Sequence, residues 1–127
     1  MKFWFSLIVL CSTVSAVAAE PSKFATGTAA FLDAELPQMD EAVAHKDRAY
    51  FGPALARMQA FLNGWSGEQL ERDPACSRAL SEFLIVGLCK ISPPGTLCEP
   101  ETFIPKVDNN IARCRAAAKP DEAAAEQ

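Results

Sequence analysis

Four cysteines, Cys76, Cys89, Cys98 and Cys114, constrain this 127-residue chain more than any other feature. They allow three pairings. Helix geometry separates them. Asp73-Pro74 is a helix-start signal, because Asp can accept from free N–H groups and Pro fits the first helical position. Leu80, Phe83, Leu84, Gly87 and Leu88 then form one apolar side, and Pro93-Pro94-Gly95 stops the run. Cys76 and Cys89 therefore sit at opposite ends of one helix, roughly 20 Å apart at about 1.5 Å per residue. A disulfide needs Cα atoms roughly 4.4–6.8 Å apart, so that pair is excluded. A last helix starts between Pro100 and Pro105 and runs to about Ala118, with Ile104, Val107, Ile111 and Cys114 on one side. In the resulting hairpin, Cys89 and Cys98 flank the turn and Cys76 and Cys114 sit at the open end. The nested pairing Cys76–Cys114 with Cys89–Cys98 meets both distance limits. The crossed pairing requires long reaches in both bridges.

The rest of the chain also reads as helix, with no alternating strand pattern. A first helix is predicted over Thr28–Asp47, with Leu32, Leu36, Met39 and Val43 on one face. Pro37 lies within it and predicts a kink or two short helices. A second helix is predicted from Pro53 to Asn63, carrying Leu55, Met58 and Leu62, with Asn63-Gly64 as its stop. Ser66 and Gln69 have the spacing of a capping box. The expected fold is all-α: a small antiparallel helical bundle of about four helices. The predicted core is Leu32, Leu36, Met39, Val43, Leu55, Met58, Leu62, Leu80, Phe83, Leu84, Leu88, Val107 and Ile111.

The N-terminus has the parts of a secretory signal: Met1-Lys2, the apolar run Phe3–Leu10, and Ala16-Val17-Ala18-Ala19 before Glu20. Ser6, Ser12, Thr13 and Ser15 interrupt it, and a membrane span needs roughly 20 apolar residues. Cleavage is expected after Ala18 or Ala19, and the fifth cysteine, Cys11, leaves with the leader. Three regions follow: residues 1–19 as signal peptide, 20–118 as one helical domain, and 119–127 as a disordered tail of Pro, Ala and acidic residues. The expected location is periplasmic or secreted. Without the leader the chain has 11 basic against 16 acidic residues and no basic cluster. Nucleic acid and anionic membrane surfaces are then poor partners.

Catalytic and metal signatures are weak. The cysteine gaps are 12, 8 and 15 residues, unlike the close pairs of a zinc site, and there is no C-x-x-C redox motif. His45 is the single histidine and lies in a charged stretch. Haem ligation by His45 with Met39 or Met58 is less economical than packing for both methionines. No nucleophile elbow, phosphate loop or EF-hand loop occurs. Asp40-Glu41 reads as solvated. Glu99 and Glu101 sit where negative charge favours the start of the last helix. Phe24 is placed before the first helix, Tyr50-Phe51 in the linker after it, and Trp65 beyond the second. Aromatic side chains at helix ends commonly cap a bundle core, which is the default reading; they also anchor protein interfaces, which makes Tyr50, Phe51 and Trp65 the candidate partner surface.

Gly95-Thr96-Leu97-Cys98-Glu99-Pro100, followed by an apolar helix, resembles the Cys-x-Pro segment of small periplasmic immunity proteins that neutralise secretion-system toxins. The likeness covers a short part of the chain, and the upstream cysteine-to-glycine spacing departs from that pattern. The expected function is a non-enzymatic exported protein that binds an unidentified protein partner, of inhibitor, immunity or chaperone type. The alternative is a bundle binding haem, metal or a small ligand. An enzyme without a short motif is the third reading.

Overall fold

The computed structural model describes residues 22–119. The expected leader and residues 120–127 of the expected tail lie outside them. The elements are α1 (Lys23–Ala44), a 3₁₀ turn (Arg48–Tyr50), α2 (Phe51–Asn63), α3 (Gly67–Arg72), α4 (Pro74–Ile91) and α5 (Pro100–Ala118). There is no strand among the described residues.

Helix α1 begins five residues before the predicted Thr28. Ser22 is its cap, in extended conformation, and its Oγ accepts from the Ala25 N–H at 2.9 Å. One free donor of the first turn is thereby satisfied. The early start puts Phe24 inside the helix and buries it completely. Pro37 does not divide the helix. It is exposed, while Leu32, Glu35 and Met39 on either side of it are buried. Packing on both sides of the proline outweighs its missing backbone donor. The apolar stripe also differs from the predicted one. The buried face is Phe24, Ala25, Thr28, Leu32, Glu35, Met39 and Ala42; Leu36 and Val43 are half-buried at its edge.

The Ser66–Gln69 capping box forms as predicted, with side chain and backbone bonded in both directions. Asp73 does not cap α4. Its carboxylate accepts from the Ser22 hydroxyl instead, which ties the start of α1 to the start of α4. Helix α4 is the central element. Cys76, Ala79, Leu80, Phe83, Leu84, Val86, Gly87 and Cys89 are all buried. Fully burying side chains such as Leu80 and Phe83 contributes about 1.5–3 kcal/mol each. Replacing either by Ala would cost about 2–5 kcal/mol.

Both disulfides of the nested pairing are present. Cys76–Cys114 closes the open end of the α4–α5 hairpin with Cα atoms 4.7 Å apart, and Cys89–Cys98 closes the turn at 5.8 Å. Helix α5 packs antiparallel to α4. Arg115 on α5 reaches Asp33 on α1 at 2.9 Å. These three helices approach each other closely.

Helix α2 runs antiparallel to α1: Phe51 lies near Met39, Arg57 near Glu35 and Phe61 near Phe31. It stands farther off than the other three, spaced from them by large side chains. Its predicted core residue Leu55 is 43% exposed, because the face of α2 that meets the bundle carries Phe51, Ala54 and Met58. Gly87 permits a close approach of Phe51 to α4. A Cβ there would lie 2.8 Å from both Met39 Sδ and Phe51 Cε1. Glycine in mid-helix costs about 1 kcal/mol relative to Ala, so contact with these two side chains accounts for its presence.

Candidate functional site

Two features on either side of α2 stand out. The first is a buried carboxylate. Glu35 is 4% exposed on the inner face of α1. Arg57 Nε donates to its Oε1 at 2.5 Å and Nη2 donates to Oε2 at 3.1 Å, a two-point clamp. The Tyr50 hydroxyl donates to Oε2 at 2.7 Å. The Arg57 guanidinium also lies 5.8 Å over the Tyr50 ring. Charged and bidentate hydrogen bonds of this kind are the strong ones. The Arg57 bonds hold the Glu35 carboxyl below its ordinary pKa, against the opposing effect of burial. Burial, with the adjacent carboxylate, pushes the Tyr50 hydroxyl well above its ordinary value. Glu35 therefore stays ionised and Tyr50 stays a donor.

Sequence patterning pointed at Leu36 and Val43 and passed over Glu35. The signal was there: Glu35 follows Leu32 by three and precedes Met39 by four, which is the spacing of one helix face. A charged residue on that face needs a partner, and the sequence does not say which of the twelve basic residues supplies it.

The second feature is an apolar groove between α2 and α4. Its walls are Phe51, Leu55 and Met58 on one side and Leu84, Ile85 and Leu88 on the other, with Gly52 and Ser81 beside them. Its volume is about 390 Å³. Ile85 is 40% exposed, so Leu55 from α2 and Ile85 from α4 are two large apolar side chains of the groove that are open to solvent. Leu97, 55% exposed in the α4–α5 turn, stands apart from it.

The predicted partner residues are distributed unevenly. Phe51 is buried and lines this groove. Tyr50 is half-buried on Glu35. Trp65 is half-buried with its ring edge-on to Phe24 at 5.4 Å. Tyr50 and Trp65 do not line the groove. Proximity of Leu55 and Ile85 was not legible from sequence, because it depends on how α2 sits against α4.

A second cleft of about 340 Å³ lies between α1, α4 and α5, with Asp40, Lys90, Asp108 and Arg115 around an apolar floor that includes Phe83 and Val107. Both floor residues are fully buried. His45 is exposed beside Glu41, Asp47 and Tyr50. Met39 and Met58, named with it as haem ligands, are both in the core. Among the described residues no group of three or more His, Cys, Asp or Glu is placed to hold a metal ion. No helix among them is long and apolar enough to cross a membrane.

Comparison with protein-family models, curated proteins and solved structures finds no match to this chain. The likeness of Cys98-Glu99-Pro100 to immunity proteins accordingly carries no assignment.

Proposed function

We propose that this is an exported, non-enzymatic protein that acts by binding another protein in the α2–α4 groove. The observation that carries the reading is the pair Leu55 and Ile85, exposed at the mouth of an apolar groove. The groove covers about two helical turns, from Phe51 and Leu88 at one end to Met58 and Ser81 at the other. Two antiparallel helices with an apolar trough between them suit an amphipathic helix, which anchors through residues spaced by three, four and seven. Phe51 from the predicted surface contributes to the trough. Two disulfides fit an oxidising compartment, and the leader-like N-terminus supports reading that compartment as the periplasm or the extracellular space.

A photo-crosslinking residue placed at Leu55 or at Ile85, in cells of the source organism, tests this. The expected result is a discrete protein adduct from both positions and none from exposed Arg113 on α5. Equal labelling at all three positions, or none at the groove, overturns the reading.

The volume of the groove also lies within the range of small-molecule sites. That second reading expects a retained apolar molecule in native mass spectrometry of the purified protein.

A further inference from the structure

The segment Arg48–Asn63 is attached to the bundle differently at its two ends. At one end Phe61 packs on Phe31 at 4.9 Å between ring centres, and on Phe24 and Trp65 beyond it. At the other end the buried side chains Phe51, Ala54 and Met58 are joined by a polar clasp: Tyr50 and Arg57 both bond Glu35. Neither disulfide touches this segment. The connection into it bends at Lys46, a non-glycine residue in the left-handed region with φ 51°.

We infer that the 3₁₀ turn and the first turns of α2 form a latched arm, which pivots on the aromatic cluster at Phe61 and opens and closes the α2–α4 groove. The reason lies in the solvation of Glu35. Among the described residues, every side-chain donor to its carboxylate belongs to the arm. With the arm closed, protein donors replace water. With the arm open, water reaches the carboxylate. Halfway, neither does, and an unsolvated carboxylate is the least favourable arrangement. The arm therefore has two defined positions and no stable intermediate. An apolar residue at position 35 would give no such barrier. Gly87 completes the closed position, because it lets Phe51 lie against α4.

Opening separates Phe51 and Leu55 from Leu84, Ile85 and Leu88, and widens the groove into a slot for a helix. This consequence rests on the docking reading above; the opening itself does not.

Hydrogen exchange on the full protein tests the latch. Arg57→Ala leaves Glu35 buried without its cation when closed, and hydrated when open. Amides of residues 48–58 should then exchange roughly tenfold faster or more, the scale of a lost charged hydrogen bond. Amides of α4 and α5 should keep their protection. Adding Glu35→Leu should restore protection in 48–58, because the burdened carboxylate is gone. Equal acceleration through α4 and α5, unchanged exchange in 48–58, or no rescue by Glu35→Leu would each overturn the latch. Crosslinking at Ile85 should increase in Arg57→Ala. If exchange rises in 48–58 while crosslinking does not, the latch stands and its control of the groove is refuted.

Discussion

The α4–α5 hairpin and the α2 arm are of similar helical character but are held in place by different means. The hairpin has two covalent bridges, one at each end, and its helices lie close together. The arm has none. It depends on an aromatic cluster, the buried contacts of Phe51, Ala54 and Met58, and a carboxylate clasp. Covalent closure fixes the hairpin irrespective of pH or partner. The arm is held by interactions that a proton, a substitution or a competing helix can displace. In the latch inferred above, the stapled half is the rigid wall and the unstapled half is the surface that moves.

The largest effect should come from removing the outer bridge. Cys76 and Cys114 are separated by 38 residues in sequence, and the loop-entropy relation gives about 4 kcal/mol for such a crosslink. The inner bridge, with a separation of 9, gives about 3 kcal/mol by the same relation. Denaturant titration of Cys76→Ala/Cys114→Ala against Cys89→Ala/Cys98→Ala measures both. The outer pair should cost more. The reverse order would mean that the hairpin turn, and not its open end, anchors the fold.

Gly87→Ala comes next and sits on the seam between the two regions. Overpacking costs about 1–3 kcal/mol against a propensity gain of about 1 kcal/mol. A net loss of up to about 2 kcal/mol is expected, with faster hydrogen exchange concentrated near Phe51. A stabilised protein would show that Met39 and Phe51 yield freely and that the arm is not seated on α4.

Acid should distinguish the two regions without any substitution. The folded-state pKa of Glu35 lies below its ordinary value of 4.5. Its contribution is therefore complete above that value and is lost as the pH falls through the lower, folded pKa. Exchange in residues 48–58 should be flat from neutral pH down to about 5 and should rise, once corrected for intrinsic rates, at more acid pH. The disulfide-bonded hairpin should lag behind. In Glu35→Gln this acid-dependent difference should shrink. An unchanged acid profile in Glu35→Gln would assign the loosening to other carboxylates.

The smallest stability effect belongs to Leu55→Ser. Leu55 is largely exposed, and such substitutions usually fall within about 0.5 kcal/mol. Melting should be nearly unchanged while crosslinking from Ile85 drops. A large stability loss would place Leu55 in the core, as the sequence alone predicted.

How much was legible in advance depended on whether the constraint was local. The boundaries of α4 followed from Pro74 and Pro93, and the Ser66–Gln69 box followed from its own spacing. The start of α1 was misjudged because Ser22 as a cap and Phe24 as a core residue gain their weight from packing. Leu55 was misjudged because apolar spacing locates a stripe without saying which of its flanks meets the bundle. Glu35 was passed over because its partners lie 15 and 22 residues away.

The sequence by itself determined the all-helical class and the disulfide pairing, since a rigid rise per residue and a short S–S reach leave one solution. Only the tertiary structure decided which face of α2 turns inward, that Arg57 and Tyr50 find Glu35, and that Leu55 and Ile85 share a groove. Those outcomes depend on the separation between helices, and that separation is set by the bulk of Phe51, Phe61 and Met58 acting together. No local pattern encodes it.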